Sequence, residues 1–238
     1  MATVVLVHGA WGGSFIWREI AAALRKAGHE VYTPTLTGLG ERRHLLRRGI
    51  DLDTHIEDVL GVIDYEDLER IVLVGHSYGG MVVTGVADAV PEKIASLVYV
   101  DAFVPRDGES LVEIRPAGAP LPSTEPGEDW LAARLPADAF GNASAKVRDY
   151  VERKSSPQPV ACFTQPVKLS GGLERIRRKT YIYCNDPAPT TFTPFYERLR
   201  NDPGWTVHTL PCTHFVQFDM PGELTALLLR AIPRDAAA

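Results

Sequence analysis

Short aliphatic and β-branched runs alternate along this chain with segments that have the period of amphipathic helices. The strand candidates, which carry almost no charge, are residues 3–7, 30–33, 71–74, 96–100, 180–183 and 206–210. Such alternation is typical of βαβ units, which build a parallel sheet covered by helices on both faces. The sequence therefore predicts an α/β fold with a mostly parallel sheet of about six strands.

The helix candidates between these strands carry ordinary start and stop signals. They span residues 15–26, 52–63, 81–89, 194–200 and 221–231, with Asp51 or Asp53 available as the cap of the second. Gly28 ends the first, Pro91 stops the third, and a proline opens each of the last two. We expect these helices to cover the sheet.

The alternation stops between residues 105 and 172. Prolines gather there around short helical fragments at residues 129–135 and 143–154, and the segment shows no convincing strand. We therefore predict a core of residues 1–104 and 173–238 with an inserted, mainly helical lid of residues 105–172. Trp130 and Phe163 either line an apolar pocket or form the lid's own core.

Composition and charge exclude several classes of protein. A net charge of −5 and dispersed basic residues do not predict nucleic-acid binding. Three scattered cysteines predict neither a disulfide framework nor a metal site, and they suit a reducing compartment. The chain begins without the pattern of a signal peptide and has no apolar run of membrane-spanning length, so we expect a cytoplasmic protein without membrane insertion.

A serine stands between glycines directly after the third strand candidate. Residues Gly75 to Gly79 read GHSYG, which matches the GxSxG pattern of a serine held on a sharp strand-to-helix turn. Such a serine has a strained backbone, and the positions two before and two after it lack room for a side chain. The motif predicts Ser77 as a nucleophile; its alternative role is only to start a helix.

A serine hydroxyl needs a base to accept its proton, and His214 is the best candidate. It follows the last strand candidate and precedes the last helix, at the sheet edge where loops reach the nucleophile. The remaining histidines are predicted to be structural, with His76 pointing away from the tip of the turn: they are His8, His29, His44, His55, His76 and His208.

Two carboxylates at strand ends could orient that base. Asp186 lies in the loop after residues 180–183, and Asp101 ends the strand candidate at residues 96–100. Both loops open on the carboxyl edge of the sheet, where sites of α/β folds form. We favour Asp186, because it has the commoner chain placement, serine then aspartate then histidine with the acid one strand before the histidine; Asp101 remains the alternative.

The glycine-rich turn after the first strand candidate is suited to bind a negatively charged oxygen. In VLVHGAWGG, the backbone N–H of Ala10 can come beside that of Tyr78, the residue after the proposed nucleophile. We expect these two groups to form an oxyanion hole. Gly9 joins Trp130 and Phe163 as the candidate residues for substrate binding.

Several stretches resemble one known group of enzymes. LVHGAWGG, VGHSYGGM, YVDAFVP, QPVACFTQP, YIYCND and CTHFVQFDMP are similar to segments of the small lidded α/β-hydrolases. That group includes bacterial carboxylesterases, pyrethroid-type ester hydrolases, plant methyl esterases and hydroxynitrile lyases. The resemblance covers nearly the whole chain and implies a triad of Ser77, His214 and Asp186, the Ala10 and Tyr78 hole, and no metal or organic cofactor.

Two positions distinguish this chain from the lyases of the group. Those lyases carry a threonine after the first-strand histidine and a lysine after the catalytic histidine, whereas this chain has Gly9 and Phe215. Without an ammonium group to stabilise a leaving cyanide, hydrolysis is favoured.

The sequence thus predicts a serine esterase that acts on an apolar, aromatic or medium-chain carboxylic ester through an acyl enzyme. A lyase or another C–C cleaving activity, and a binding protein that uses the same pocket without catalysis, are the alternatives. We expect a small-molecule ester as the partner. The sequence sets no oligomeric state, and a dimer is compatible with it.

Overall fold

The computed structural model describes residues 1–117, 124–125, 127–141 and 143–233. In these residues the strands are β1 Thr3–Val7, β2 Glu30–Tyr32, β3 Ile71–His76, β4 Ile94–Val100, β5 Thr124–Glu125, β6 Glu128–Ala132, β7 Gln158–Pro159, β8 Lys179–Cys184 and β9 Trp205–Leu210. Six of them form one sheet in the order β2-β1-β3-β4-β8-β9, and every pair is parallel. The predicted α/β fold with a six-stranded parallel sheet is confirmed.

The α-helices lie mostly where their sequence signals predict them. They are α1 Arg18–Lys26, α2 Leu52–Tyr65, α3 Gly79–Ala89, α4 Leu111–Ile114, α5 Ala145–Lys154, α6 Ala161–Thr164, α7 Thr193–Leu199, α8 Val216–Asp219 and α9 Pro221–Ala231. Asp51 caps α2, because its side chain accepts a hydrogen bond from the Thr54 N–H at 2.9 Å. The predicted helix at 15–26 is divided into a short 3₁₀ helix, Ser14–Trp17, and α1.

Both faces of the sheet are buried. Along β3, Leu73 packs in the layer of α2 and α3, while Val72 and Val74 pack in the opposite layer against α1 and α9. Successive strand residues point to opposite faces, so a strand between two helical layers needs apolar residues at every position. This is why the strand signals in the sequence are continuous apolar runs.

The inserted segment contains strands that the sequence analysis did not predict. β5, β6 and β7 form a small antiparallel sheet, and the fragment at residues 129–135, read as helical, begins inside β6. Leu131 and Ala132 of β6 pair with Pro159 and Gln158 of β7, which lie well beyond the fragment in the sequence. A fragment this short has no decisive period, so its pairing partner decides its conformation.

The two ends of the insertion meet at the core. The Gly108 N–H donates to the Val167 carbonyl at 2.9 Å, and the Val167 N–H donates to the Glu109 carbonyl at 3.0 Å. The chain therefore leaves and re-enters the core at one place.

Across the described residues, no helix has the length and apolar character that crossing a membrane requires.

Helix α3 lies so close to the loop after β4 that it requires glycine at one position. A Cβ atom at Gly80 would lie 2.1 Å from the Phe103 carbonyl oxygen. We expect Gly80→Ala to lower the free energy of unfolding by about 2–3 kcal/mol, because the helix must move away from that backbone. Thermal unfolding measures the change.

Gly61→Ala in α2 is the matched control, since a Cβ atom there meets nothing within 4 Å. It should raise the free energy of unfolding by about 0.5–1 kcal/mol through helix propensity alone. If both variants changed stability in the same direction, the proposed close contact at Gly80 would be unimportant.

Candidate active site

Ser77 occupies the sharp turn between β3 and α3. Its φ is +56°, a value that residues with a side chain rarely adopt. The Ser77 N–H donates to the Val100 carbonyl at 3.3 Å, and the Ser77 carbonyl accepts from the N–H groups of Gly80 and Phe103 at 3.0 and 3.2 Å. These bonds hold the strained turn that the motif predicts.

The glycines on either side of Ser77 have the steric role that their spacing indicates. A Cβ atom at Gly75 would lie 2.6 Å from the Gly79 carbonyl oxygen. One at Gly79 would lie 2.7 Å from the carbonyl oxygen of His8, at the end of β1. The turn can therefore form only where these two positions have no side chain.

His214 lies in the loop between β9 and α8, and its partner is Asp101. The Nδ1 atom of His214 is 2.6 Å from the Oδ2 atom of Asp101, and the His214 ring stacks on Phe192 with 4.8 Å between ring centres. Asp101 is only 1% exposed. Its second carboxylate oxygen accepts from the Cys184 N–H at 3.1 Å.

The prediction that Asp186 is the carboxylate partner of His214 is therefore wrong. Asp186 is exposed, two residues beyond the end of β8, and its N–H donates to the Cys212 carbonyl at 3.0 Å. Asp101 directly follows β4, which lies beside β3 in the sheet. Its position in the fold is therefore next to the turn that carries Ser77. Chain order does not contain this spatial information.

Burial governs the charges of the pair. Removal from water lowers the pKa of His214 to about 3, since the buried ring holds a second proton poorly. Burial raises the pKa of Asp101 to about 7, against the opposing effect of the Cys184 hydrogen bond. At neutral pH and above, the imidazole is neutral and can donate Nδ1–H to the carboxylate.

Ser77 and His214 line one cavity, which has a volume of about 60 Å³. Gly9 and Ala10 lie in its wall, beside the serine. Tyr78 immediately precedes α3, and N–H groups at a helix start have no carbonyl partner within the helix. The remaining wall is largely apolar and includes Phe15, Ile16, Leu135, Val151, Phe215 and Phe218.

Comparison with known proteins places the chain in a family. The model of the "Alpha/beta hydrolase family" matches residues 4–227. The chain belongs to the alpha/beta hydrolase family.

Several relatives of this α/β-hydrolase are esterases. It is 46% identical over 239 residues to the carbendazim hydrolyzing esterase of Nocardioides sp. (strain SG-4G), covering 96% of this chain and 98% of that protein. It is 29% identical over 209 residues to the polyneuridine aldehyde esterase of Rauvolfia serpentina, covering 76% of each. These likenesses show a carboxylic ester hydrolase.

A solved structure has the same fold over nearly all of this α/β-hydrolase. An extracellular alpha/beta-hydrolase from a Paenibacillus species superposes with a TM-score of 0.81 at 25% identity, covering 97% of this chain and 99% of that one. The α/β-hydrolase fold implied by the sequence motifs is therefore confirmed.

Two of the candidate substrate-binding residues of this α/β-hydrolase are not in the cavity wall. Phe163 is buried beneath it, with its ring 5.4 Å from that of Trp11 and 5.6 Å from that of Tyr78. Trp130 lies at the surface, where its N–H donates to Glu128 and the Arg48 guanidinium stands 5.2 Å from its ring. Gly9 alone of the three lies in the wall.

His76 of this α/β-hydrolase is closer to the chemistry than the sequence indicates. Its ring centre is 4.5 Å from that of His214, and its Nε2 is 3.0 Å from the His214 carbonyl oxygen. It also lines the cavity, together with Gln217 and the ion pair of Arg134 and Glu152. The GxSxG pattern allows any residue at this position, so only its place next to Ser77 could have indicated His76.

Gly9 must lack a side chain for the serine to be reached. A Cβ atom at this position would lie 2.8 Å from Ser77 Cβ and 3.1 Å from His76 Nδ1. We expect Gly9→Ala to lower kcat/KM for an ester by about 10²-fold, because it displaces the nucleophile from its attack geometry. Steady-state hydrolysis of p-nitrophenyl butyrate measures the effect.

Gly12→Ala serves as the comparison, since its Cβ atom would come no closer than 3.4 Å to any neighbour. Its loss should be far smaller. Equal losses in the two variants would mean that the loop tolerates no substitution at all and that the contact at Gly9 is not the cause.

Proposed function

We propose that this α/β-hydrolase hydrolyses an apolar carboxylic ester, aromatic or of medium chain length, through an acyl enzyme on Ser77. The single observation that carries the proposal is the geometry of the pair behind the serine. Ser77 lines one cavity with His214, whose Nδ1 lies 2.6 Å from the buried carboxylate of Asp101.

Each group has one step in the proposed reaction. His214 accepts the Ser77 proton as the hydroxyl oxygen attacks the ester carbonyl, and Asp101 holds the ring in the required tautomer and stabilises it once it is charged. The N–H groups of Ala10 and Tyr78 stabilise the oxyanion. His214 then protonates the leaving alcohol, and a water molecule, activated by the same ring, releases the acid.

The cavity supports an apolar substrate whose bulk extends outwards. Its volume of about 60 Å³ is smaller than the pockets that enclose whole drug-sized ligands. A small group can therefore enter beside Ser77, while the larger part of the ester lies along the apolar wall towards the lid. A relative named as a carbendazim hydrolyzing esterase supports the ester-hydrolase part of the proposal.

An acyl enzyme predicts one shared intermediate for esters of the same acid. Phenyl butyrate and p-nitrophenyl butyrate should both give the same butyryl-Ser77, which then partitions between water and added hydroxylamine. We expect one ratio of butyrate to butyrohydroxamate for both esters. A ratio that depended on the leaving group would contradict the intermediate.

The pH profile should have one acid limb. Catalysis needs neutral His214 and ionised Asp101, and burial raises the pKa of that carboxyl to about 7. As the pH falls the pair takes up a proton, so kcat/KM should halve near pH 7 and drop about tenfold for each further unit. Initial rates from about pH 5 to 8.5 measure this, and a flat profile would exclude the pair as the base.

The lyase alternative receives no support from the site. The aromatic side chain of Phe215 forms part of the cavity wall, and the contact at Gly9 leaves no room for a threonine. We expect mandelonitrile to yield no benzaldehyde above the background rate. A cytoplasmic location, a small-molecule partner and action without a cofactor stay predictions.

A further inference from the structure

Two polar side chains in the cavity wall take no part in the mechanism, and each has an atom without a hydrogen-bond partner among the described residues. These atoms are Nδ1 of His76 and Nε2 of Gln217. His76 is 5% exposed and Gln217 is 1% exposed, and both line the cavity with Ser77. Because buried polar atoms are almost always paired, two unpaired ones at a cavity indicate an occupant with hydrogen-bonding groups.

His76 offers an acceptor. Its Nε2 is 3.0 Å from the carbonyl oxygen of His214, and a carbonyl can only accept, so Nε2 carries the hydrogen. Burial also lowers the pKa of His76 to about 3, which leaves the ring neutral. A neutral imidazole with hydrogen on Nε2 has a lone pair on Nδ1.

Gln217 offers a donor. It lies on α8, directly after the loop that carries His214, and its amide nitrogen Nε2 is buried without an acceptor. An amide nitrogen has two hydrogens to donate. The cavity wall thus contains one unsatisfied acceptor and one unsatisfied donor.

The acceptor lies close to where the ester would react. One point, the position that a Cβ atom would take at Gly9, is 2.8 Å from Ser77 Cβ and 3.1 Å from His76 Nδ1. His76 Nδ1 therefore lies close to the nucleophile, so a substituent on the carbon next to a carbonyl held at Ser77 can approach it.

The two charged side chains of the cavity wall are paired with each other. Arg134 and Glu152, on the lid, form an ion pair at 3.7 Å and are both partly exposed. They lie where solvent reaches them, whereas His76 and Gln217 are buried among apolar side chains such as Trp17 and Val216.

We propose that His76 and Gln217 form a polar subsite that binds a hydroxyl or amide group on the carbon next to the scissile carbonyl. Such a group donates to Nδ1 of His76 and accepts from Nε2 of Gln217. The subsite rests on the proposed esterase function and deepens it, because it selects among apolar esters those with one polar substituent.

Two esters that differ by one hydroxyl test the subsite. Methyl mandelate carries the hydroxyl beside the carbonyl, and methyl phenylacetate lacks it. We expect Gln217→Met to lower the ratio of their kcat/KM values about tenfold from that of the wild type, the loss expected for one hydrogen bond. Any intrinsic difference in reactivity is the same for both enzymes and cancels.

Gln165→Met is the matched control, because Gln165 caps α2 outside the cavity and its Oε1 accepts from the Leu52 N–H at 2.7 Å. It should keep the wild-type ratio. Should Gln217→Met fail to fold, Gln217→Leu also removes the donor without adding a charge and should lower the ratio in the same way.

The outcomes separate the two proposals. A wild-type ratio in the folded Gln217 variant would overturn the subsite and leave the esterase function standing. If neither ester were hydrolysed in a Ser77-dependent way, nor any p-nitrophenyl ester, the proposed function would fall and the subsite with it.

Discussion

Replacing Asp101 by asparagine is expected to lower kcat by about 10⁴, the loss that the same change causes in other serine triads. The Oδ2 atom of Asp101 accepts from Nδ1 of His214 at 2.6 Å. An asparagine amide at that place can donate to Nδ1 instead, which moves the imidazole hydrogen to Nε2 and removes the base. Hydrolysis of p-nitrophenyl butyrate, followed at saturating substrate, measures kcat.

Asp186→Asn provides the matched control for the choice between the two carboxylates. Asp186 is exposed, and the hydrogen bond to the Cys212 carbonyl comes from its backbone N–H and not from its side chain. We expect kcat to remain within about twofold of the wild type, as for surface changes away from the chemistry. A large loss in Asp186→Asn with a small one in Asp101→Asn would mean that the loops rearrange before catalysis.

The Ser77→Ala variant should show the largest loss, about 10⁶ in kcat, since removal of the nucleophile ends covalent catalysis. Some rate above that in water should remain, because the oxyanion hole and substrate binding persist. Alanine, like serine, has a Cβ atom and is strained at a φ of +56°, so we expect the turn to keep its conformation in the variant.

Ser144→Ala controls for the loss of a hydroxyl elsewhere. Ser144 caps α5 with its side chain, which accepts from the Val147 N–H at 3.3 Å, and it is not in the cavity wall. Its replacement should cost about 1 kcal/mol of stability and leave kcat near that of the wild type. Equal activity of Ser77→Ala and the wild type would contradict the assignment of Ser77 as the nucleophile.

The sequence predicts most of the core because the central strands β1, β3, β4 and β8 are buried on both faces. The segments that form β1, β3 and β4 are almost uninterrupted apolar runs, so their positions can be recognised in the sequence. The motif around Ser77 is equally local: the strained serine and the close approach at Gly75 and Gly79 follow from spacing.

What the sequence does not predict depends on contacts between distant segments. The choice of Asp101 over Asp186 depends on β4 lying next to β3, which is a property of strand order in the sheet. The proposed roles of His76 and Gln217 depend on the end of β3 meeting α8 at the cavity. β6 in the lid likewise forms because β7 is there to pair with it.

Labelling with an organophosphonate reports whether His214 and Asp101 activate Ser77. Cleavage after Arg70 and Lys93 releases the peptide of residues 71–93, which contains Ser77 as its only serine. We expect one phosphonyl group on Ser77 in the wild type and labelling slowed by about 10³-fold or more in His214→Ala and Asp101→Asn. Label on another residue, or labelling of Ser77 at the wild-type rate in His214→Ala, would contradict it.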